Sequence, residues 1–215
     1  MSVQASYDRV ADEYVRRIYD ELANKPFDRQ LLDRFAGRVR DAGLVCEIGC
    51  GPGHVAKYLS DRGVPMCGVD ISSAMVDCAR RLNPGISFSQ GDMRDLDVAD
   101  GSWAAIVAFY SIIHVPREQV VAALRELGRA LKPGGLLLLA FHIGDDLLHR
   151  DEWWGYQVDF DVVFFQSAEM SNYLSAAGFE VDEILERDPD PEVEHPTRRA
   201  YILARKPTAA ISLRQ

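Results

Sequence analysis

Short apolar runs alternating with amphipathic helical segments constrain this chain more than any other feature. "LVCEIG" precedes "GHVAKYLSDRG", and "PMCGVDIS" precedes "SAMVDCARRLN". After "ISFSQGD", "WAAIVAFYS" precedes "REQVVAALRELGRALK", and "GLLLLAFH" follows. A strand that is apolar on both faces has no side to give to water, so it needs cover above and below. Parallel strands flanked by helices provide that cover, which predicts a doubly wound α/β domain. In the segment before "LLLLAFH", Val120, Val121, Leu124, Leu127 and Leu131 form one stripe, and "KPGG" reads as the helix stop. Ahead of the first strand, Tyr7, Val10, Tyr14 and Ile18 follow helical spacing, and Pro26 opens a second helix carrying Leu31, Leu32 and Phe35.

After His142 the rhythm breaks. Residues 143–165 are too aromatic for a plain linker and too long for an ordinary βα loop. "SAEMSNYLSAAG" then predicts a helix with Ser167 as N-cap and Gly178 as its stop. "FEVDEILER" and "RRAYILARK" read as two last strands. The loop "DPDPEVEHPT" between them is too short for a crossover helix, so the pair must be antiparallel.

At 215 residues the chain suits one structural domain. Its net charge of −9, with Lys and Arg scattered among acids, argues against nucleic acid and for a small-molecule partner. No apolar run approaches the roughly 20 residues needed to span a bilayer. The polar, acidic start "MSVQASYDRVADEY" is wrong for a signal peptide. The expectation is a cytoplasmic protein, monomeric or homodimeric, with no membrane association. Cys46, Cys50, Cys67 and Cys78 show neither CxxC pairing nor zinc-like spacing, so reduced thiols and no metal are expected.

The first apolar run ends in Glu47-x-Gly49-x-Gly51-x-Gly53. Glycines in a βα turn let a ligand approach the backbone. A dinucleotide fingerprint would read GxGxxG, placing its third glycine where His54 stands. Asp70, ending the second run, is suited to accept hydrogen bonds from a ribose diol in either cofactor class. "ExGxGxG", "GVDIS", "GDM" and "LKPGGLLLL", in that order, closely resemble the class I S-adenosylmethionine-dependent methyltransferases. The resemblance runs from about Leu44 to His142. It implies a mostly parallel seven-stranded Rossmann-like sheet ending in an antiparallel hairpin, with residues 1–43 as a helical cap over the cofactor and 44–215 as the core. Residues 143–165 become a substrate-side insertion.

Carried over residue by residue, the resemblance implies that Gly49, Gly51 and Gly53 meet the methionyl half of S-adenosylmethionine. Glu47 supports the loop or the cofactor ammonium. Asp70 takes the ribose, Ile71 and Met93 flank the adenine, and Asp92 meets its amino group. Tyr14 and Tyr110 are candidates to stand near the sulfonium. The expected reaction is methyl transfer by direct displacement to a small, aromatic or heterocyclic acceptor, leaving S-adenosylhomocysteine. His114, His142 and His195 all fall at the rim where the acceptor must lie. An imidazole can take a proton near neutral pH, so His114 is the first candidate base. Arg198 and Arg199 are candidates to hold an anionic acceptor group, although alternation should point them to opposite faces. Trp153 and Trp154 join other aromatic residues as a lid or wall. Two rivals stand beside this reading: a non-catalytic S-adenosylmethionine-binding regulatory or scaffold protein, and a nicotinamide-dependent oxidoreductase.

Overall fold

The computed structural model describes residues 2–208. Five strands are parallel: β1 (Val45–Ile48), β2 (Met66–Asp70), β3 (Ser87–Gln90), β4 (Trp103–Phe109) and β5 (Leu131–His142). Two more, β8 (Glu180–Arg187) and β9 (Arg199–Arg205), complete the sheet, with β9 antiparallel to both β5 and β8. The strand order is β3-β2-β1-β4-β5-β9-β8, so the winding reverses between β1 and β4. In an open α/β sheet, that reversal opens a crevice at the carboxyl ends of the strands. The predicted fold class is the observed one.

Alternation along the strands builds a core on each face. Cys46 and Ile48 of β1 point into one cluster, beneath α5 (Arg117–Ala130) and α6 (Ser167–Ala176). Val45 points into the other, beneath α2 (Pro26–Val39), α3 (His54–Ser60) and α4 (Ser73–Leu82). Two boundaries differ from expectation. "KPGG" lies within the start of β5 rather than between helix and strand, because α5 already ends at Ala130. Ser167 is the first residue of α6 and not its cap, which is Gln166; its hydroxyl is buried without a partner. All four cysteines are free thiols. No helix among the described residues is long and apolar enough to cross a membrane.

Two elements lie over the crevice. α1 (Val3–Ile18) is capped by Ser2, whose Oγ accepts from the Ala5 amide at 3.2 Å. Its Asp8 carboxylate accepts from the Ser72 hydroxyl at 2.6 Å and the Ala74 amide at 3.1 Å, which fastens α1 to the start of α4. Residues 143–165, expected only as an aromatic insertion, contain a separate hairpin of β6 (Leu147–Trp153) and β7 (Tyr156–Val163). Its two-residue turn, Trp154–Gly155, has φ of 53° and 84°, the positive values a tight type I′ hairpin needs. The Asp159 amide of β7 donates to Ser6 Oγ at 2.9 Å, so α1 and the hairpin are joined. Val10, Val158 and Phe160 form the small core between them. Phe165 takes no part in this cover; it is buried in the main core against Phe141.

Candidate active site

The crevice holds two adjoining cavities. The first, of about 250 Å³, lies over the carboxyl ends of β1, β2 and β4, and Gly49, Gly51, Asp70, Ile71, Asp92 and Met93 are among its walls. Gly49 has φ of 68°, and a Cβ there would stand 2.2 Å from the Ser111 Cβ. Only glycine fits, because the chain must turn left-handed directly against β4's end. The turn's amides do not face the cavity. Gly49 and Cys50 donate to the Val69 carbonyl at 2.7 and 3.1 Å, and the Gly51 amide donates to Asp70 Oδ2 at 2.7 Å. The glycines therefore supply close approach, and the hydrogen bonds hold the loop.

Asp70 is buried, and its Oδ1 accepts from the Ser72 amide at 2.8 Å. Burial pushes its carboxyl up to about 6, against the pull of those two amides. Each oxygen keeps a lone pair for a further donor. Such a carboxylate fits a ribose diol, while Ile71 and Met93 offer apolar contact to a flat base. Asp92 is less free than expected: both its oxygens accept from Arg94. Glu47 does not reach the cavity. It accepts from the Ala56 amide at 2.7 Å, anchoring the start of α3, and burial holds its carboxyl well above the usual range. Its contact lies on the loop side of the two roles expected of it. Gly53 is also outside the lining; a Cβ there would strike the Phe88 ring at 2.7 Å.

The second cavity, about 300 Å³, lies under α1 and the hairpin. Tyr7, Tyr14, Tyr110 and His114 line both cavities and form the boundary between them. Tyr110 adopts φ of 52°, a strained value for a non-glycine residue, and this places its ring at that boundary. Behind it stand His142, His195, Arg199, Lys25, Arg150, Trp153 and Phe160. Tyr7, Lys25 and Arg150 were not expected; only Tyr7's helical phase, seven residues before Tyr14, hinted at a shared face.

His114 is held at both nitrogens. Nδ1 lies 2.9 Å from the Asp161 carbonyl, which can only accept, so Nδ1 carries the proton. Nε2 therefore accepts, and the Tyr7 hydroxyl donates to it at 2.7 Å. Burial lowers the His114 pKa, and raises that of Tyr7 well above its ordinary value. Both groups are neutral. His142, whose Nδ1 meets the Thr197 hydroxyl at 2.8 Å, is pushed down to about 3 by burial and by the charges of Arg199, His195 and Lys25. His195 is lowered by burial and by Arg150 and Arg199.

Neighbouring arginines separate as alternation requires. Arg199 is 3% exposed, donates to the carbonyls of His195 and Thr197 at 3.1 and 2.6 Å, and meets Glu194 at 3.4 Å. Arg198 points to solvent and pairs with Glu186 and Asp188, away from either cavity. The two tryptophans separate as well. Trp153 lines the second cavity, whereas Trp154 stacks on its outer side at 4.2 Å between centroids and meets Arg17.

An open α/β sheet with a glycine turn and a carboxylate at the strand ends, and two cavities meeting under added elements, is the frame of a nucleotide-cofactor protein. The model of a methyltransferase domain matches residues 14–184. The chain belongs to the class I S-adenosylmethionine-dependent methyltransferases, and its cofactor is S-adenosylmethionine. It is 29% identical, over 71% of its length and 58% of the relative's, to a malonyl-[acyl-carrier protein] O-methyltransferase of Enterobacter lignolyticus. It is 33% identical to a demethylmenaquinone methyltransferase of Beutenbergia cavernae, over 52% of this chain and 45% of that one. The solved DhpI–S-adenosylhomocysteine complex is 25% identical with a TM-score of 0.73, each chain being covered to 95%. The chain spans about half the length of the curated relatives it matches.

Proposed function

We propose that this protein transfers a methyl group from S-adenosylmethionine to a small acceptor held in the second cavity. One observation carries the reading: two cavities of cofactor and metabolite size meet at a single wall of Tyr7, Tyr14, Tyr110 and His114. When bound, the cofactor supplies a sulfonium-activated methyl. Gly49, Gly51, Asp70, Ile71 and Met93 would hold it in the first cavity, and the rings of Tyr14 and Tyr110 face the boundary where a cation is favoured by their π-faces. Asp92 would reach the adenine only by sharing its carboxylate with Arg94.

The residues around the boundary orient the acceptor and exclude water. Orientation of two reactants can be worth on the order of 7–11 kcal/mol. Tyr7 stacks on Phe160 at 5.5 Å and meets Trp153 edge-on at 5.8 Å, so the chamber's roof is aromatic and favours a flat, aromatic or heterocyclic acceptor. His114 acts here as a positioning residue, since both its nitrogens are committed and its basicity is lowered. An acceptor that arrives already deprotonated needs no base, which suits a chamber whose histidines are all weak bases.

The test is release of S-adenosylhomocysteine from S-adenosylmethionine across a library of small metabolites, with calorimetry of both cofactor forms. Turnover with a flat, small acceptor is expected. Tight S-adenosylhomocysteine binding without turnover on any acceptor would make the protein a regulatory subunit instead.

A further inference from the structure

The inner face of the hairpin breaks a local rule. Alternation along β6 and β7 turns Leu148, Val162 and Phe160 into the second cavity, with Leu148 paired to Val162 and Arg150 paired to Phe160. His149 and Asp161 face outward, 2.9 Å apart. Arg150 thus shares the inward face with three apolar side chains, and it lines the chamber beside them.

Its neighbours are all engaged. Lys25 pairs with Glu21 at 2.6 Å, and Arg199 is bound by Glu194 and two carbonyls. The lining acids are also committed: Glu21 meets His54 as well as Lys25, and Glu194 meets Arg187 at 2.7 Å as well as Arg199. Among the described residues the Arg150 guanidinium has no hydrogen-bond or ion-pair partner. A half-buried cation in an apolar wall is unfavourable unless an anion meets it. The β8–β9 loop brings His195 into the same chamber, where a neutral imidazole can add an N–H donor.

We infer that Arg150 is the anion anchor of the acceptor chamber, and that the acceptor carries an oxyanion, carboxylate or phosphate, which the guanidinium holds while the rest of the molecule extends towards Tyr7 and Tyr110. The inference rests on the second cavity being the acceptor site. A guanidinium is suited to this because its fork matches a carboxylate or phosphate in two parallel hydrogen bonds. The anchor lies in the second cavity only, not on its boundary with the first, so the anion directs the acceptor without touching the cofactor.

The experiment measures binding to the protein saturated with S-adenosylhomocysteine, by calorimetry and ligand-observed magnetic resonance. The probes are benzoate, glutarate and phenyl phosphate, with benzamide and glutaramide as neutral counterparts. At least one oxyanion should bind, more weakly at high salt, and its neutral counterpart should bind at least tenfold more weakly. Carboxylate against phosphate binding identifies which oxyanion the site takes. Arg150→Gln should lower the affinity for the anion by roughly ten- to hundredfold, Arg150→Lys by less, and S-adenosylhomocysteine affinity should stay unchanged in both, which reports an intact fold. If the wild type binds S-adenosylhomocysteine but none of the three oxyanions, the anchor is overturned and the methyltransferase reading stands. Equal binding of benzoate and benzamide, or an unaltered anion affinity in Arg150→Gln, also overturns it and leaves the arginine as an edge-strand guard against aggregation. Failure of S-adenosylhomocysteine itself to bind removes the underlying reading instead.

Discussion

The two cavities that meet at Tyr110 are built by different means. The first is made by strand ends and by backbone: the Gly49 turn, the Asp70 carboxylate tied to two amides, and the reversal of winding between β1 and β4. The second is made mostly by side chains from α1, the β6–β7 hairpin and the β8–β9 loop, which lie outside the parallel strands, with Tyr110, His114 and His142 at the strand ends closing it from below. A site made of backbone tolerates few residue types and binds one constant ligand. A site made of side chains on added elements can change acceptor without disturbing the sheet, so fold specifies the cofactor and leaves the acceptor to local chemistry.

The contrast breaks most readily at Gly49. Gly49→Ala would bring a Cβ to 2.2 Å from Ser111 in a left-handed conformation. Strain and overpacking together should cost about 2–4 kcal/mol of stability, seen as a lower Tm. The affinity for S-adenosylhomocysteine should fall on the order of a hundredfold. A variant with wild-type Tm and affinity would show that the turn is not a rigid floor.

Asp70 gives the next largest effect and carries a pH signature. Burial raises its carboxyl to about 6 from an ordinary 3.8. Because the folded state holds its proton more tightly, this group's contribution to stability is whole below pH 3.8 and is lost as pH rises towards 6. Cofactor binding runs the other way, since ribose hydroxyls donate to the ionised form. Calorimetry should find S-adenosylhomocysteine affinity rising with pH and levelling above about 6. Asp70→Asn should bind roughly ten- to hundredfold more weakly, with that rise abolished. A pH-independent wild type would move the ribose elsewhere.

At the boundary, Tyr7→Phe and His114→Gln sharpen the comparison further. Tyr7→Phe leaves the His114 Nε2 without its donor, and should cost about 1–2 kcal/mol of stability and roughly tenfold in kcat. His114→Gln should show a similar kcat loss, with little change in cofactor affinity. Both losses should be flat with pH above about 7, where burial keeps the Tyr7–His114–Asp161 chain neutral. A histidine-like rise in rate from about pH 6 to 8 that vanishes in His114→Gln would restore the base role that its position after β4 suggests.

The same division explains what could be read from the chain alone. Each apolar run, the glycine turn and Asp70 at the end of its run follow from a local constraint, so the sheet and the first cavity were legible. The second cavity joins residues distant in sequence: Tyr7 and His114 are 107 positions apart, and Arg9 reaches the Gln157 carbonyl across 148. No periodicity encodes such a meeting. The hairpin was obscured because its outward residues are charged and its inward face contains Arg150, which blurs the alternation. Glu47 and Gly53 show the limit of a motif: the spacing brings them into the pattern, but only the folded chain shows that Glu47 holds the start of α3 and that Gly53 clears Phe88.

The smallest expected effect belongs to the arginine pair at the start of β9. Arg198 and Arg199 are neighbours and share a charge, so composition cannot rank them, but a strand turns successive side chains to opposite faces. Arg198 is exposed and its ion pairs with Glu186 and Asp188 are of the kind that contributes little. Arg199 is buried, and by holding the His195 and Thr197 carbonyls it shapes the loop that closes the second cavity. Arg198→Ala should therefore leave Tm and kcat/KM within about twofold or 0.5 kcal/mol of wild type. Arg199→Ala, as the paired control, would strand Glu194 beside Arg187 alone and release the loop, raising the acceptor KM while S-adenosylhomocysteine affinity holds. If Arg198→Ala instead raised the acceptor KM, the loop would have to fold over the chamber during turnover. The second cavity would then be a surface completed by the acceptor, in contrast to the first, which the backbone completes by itself.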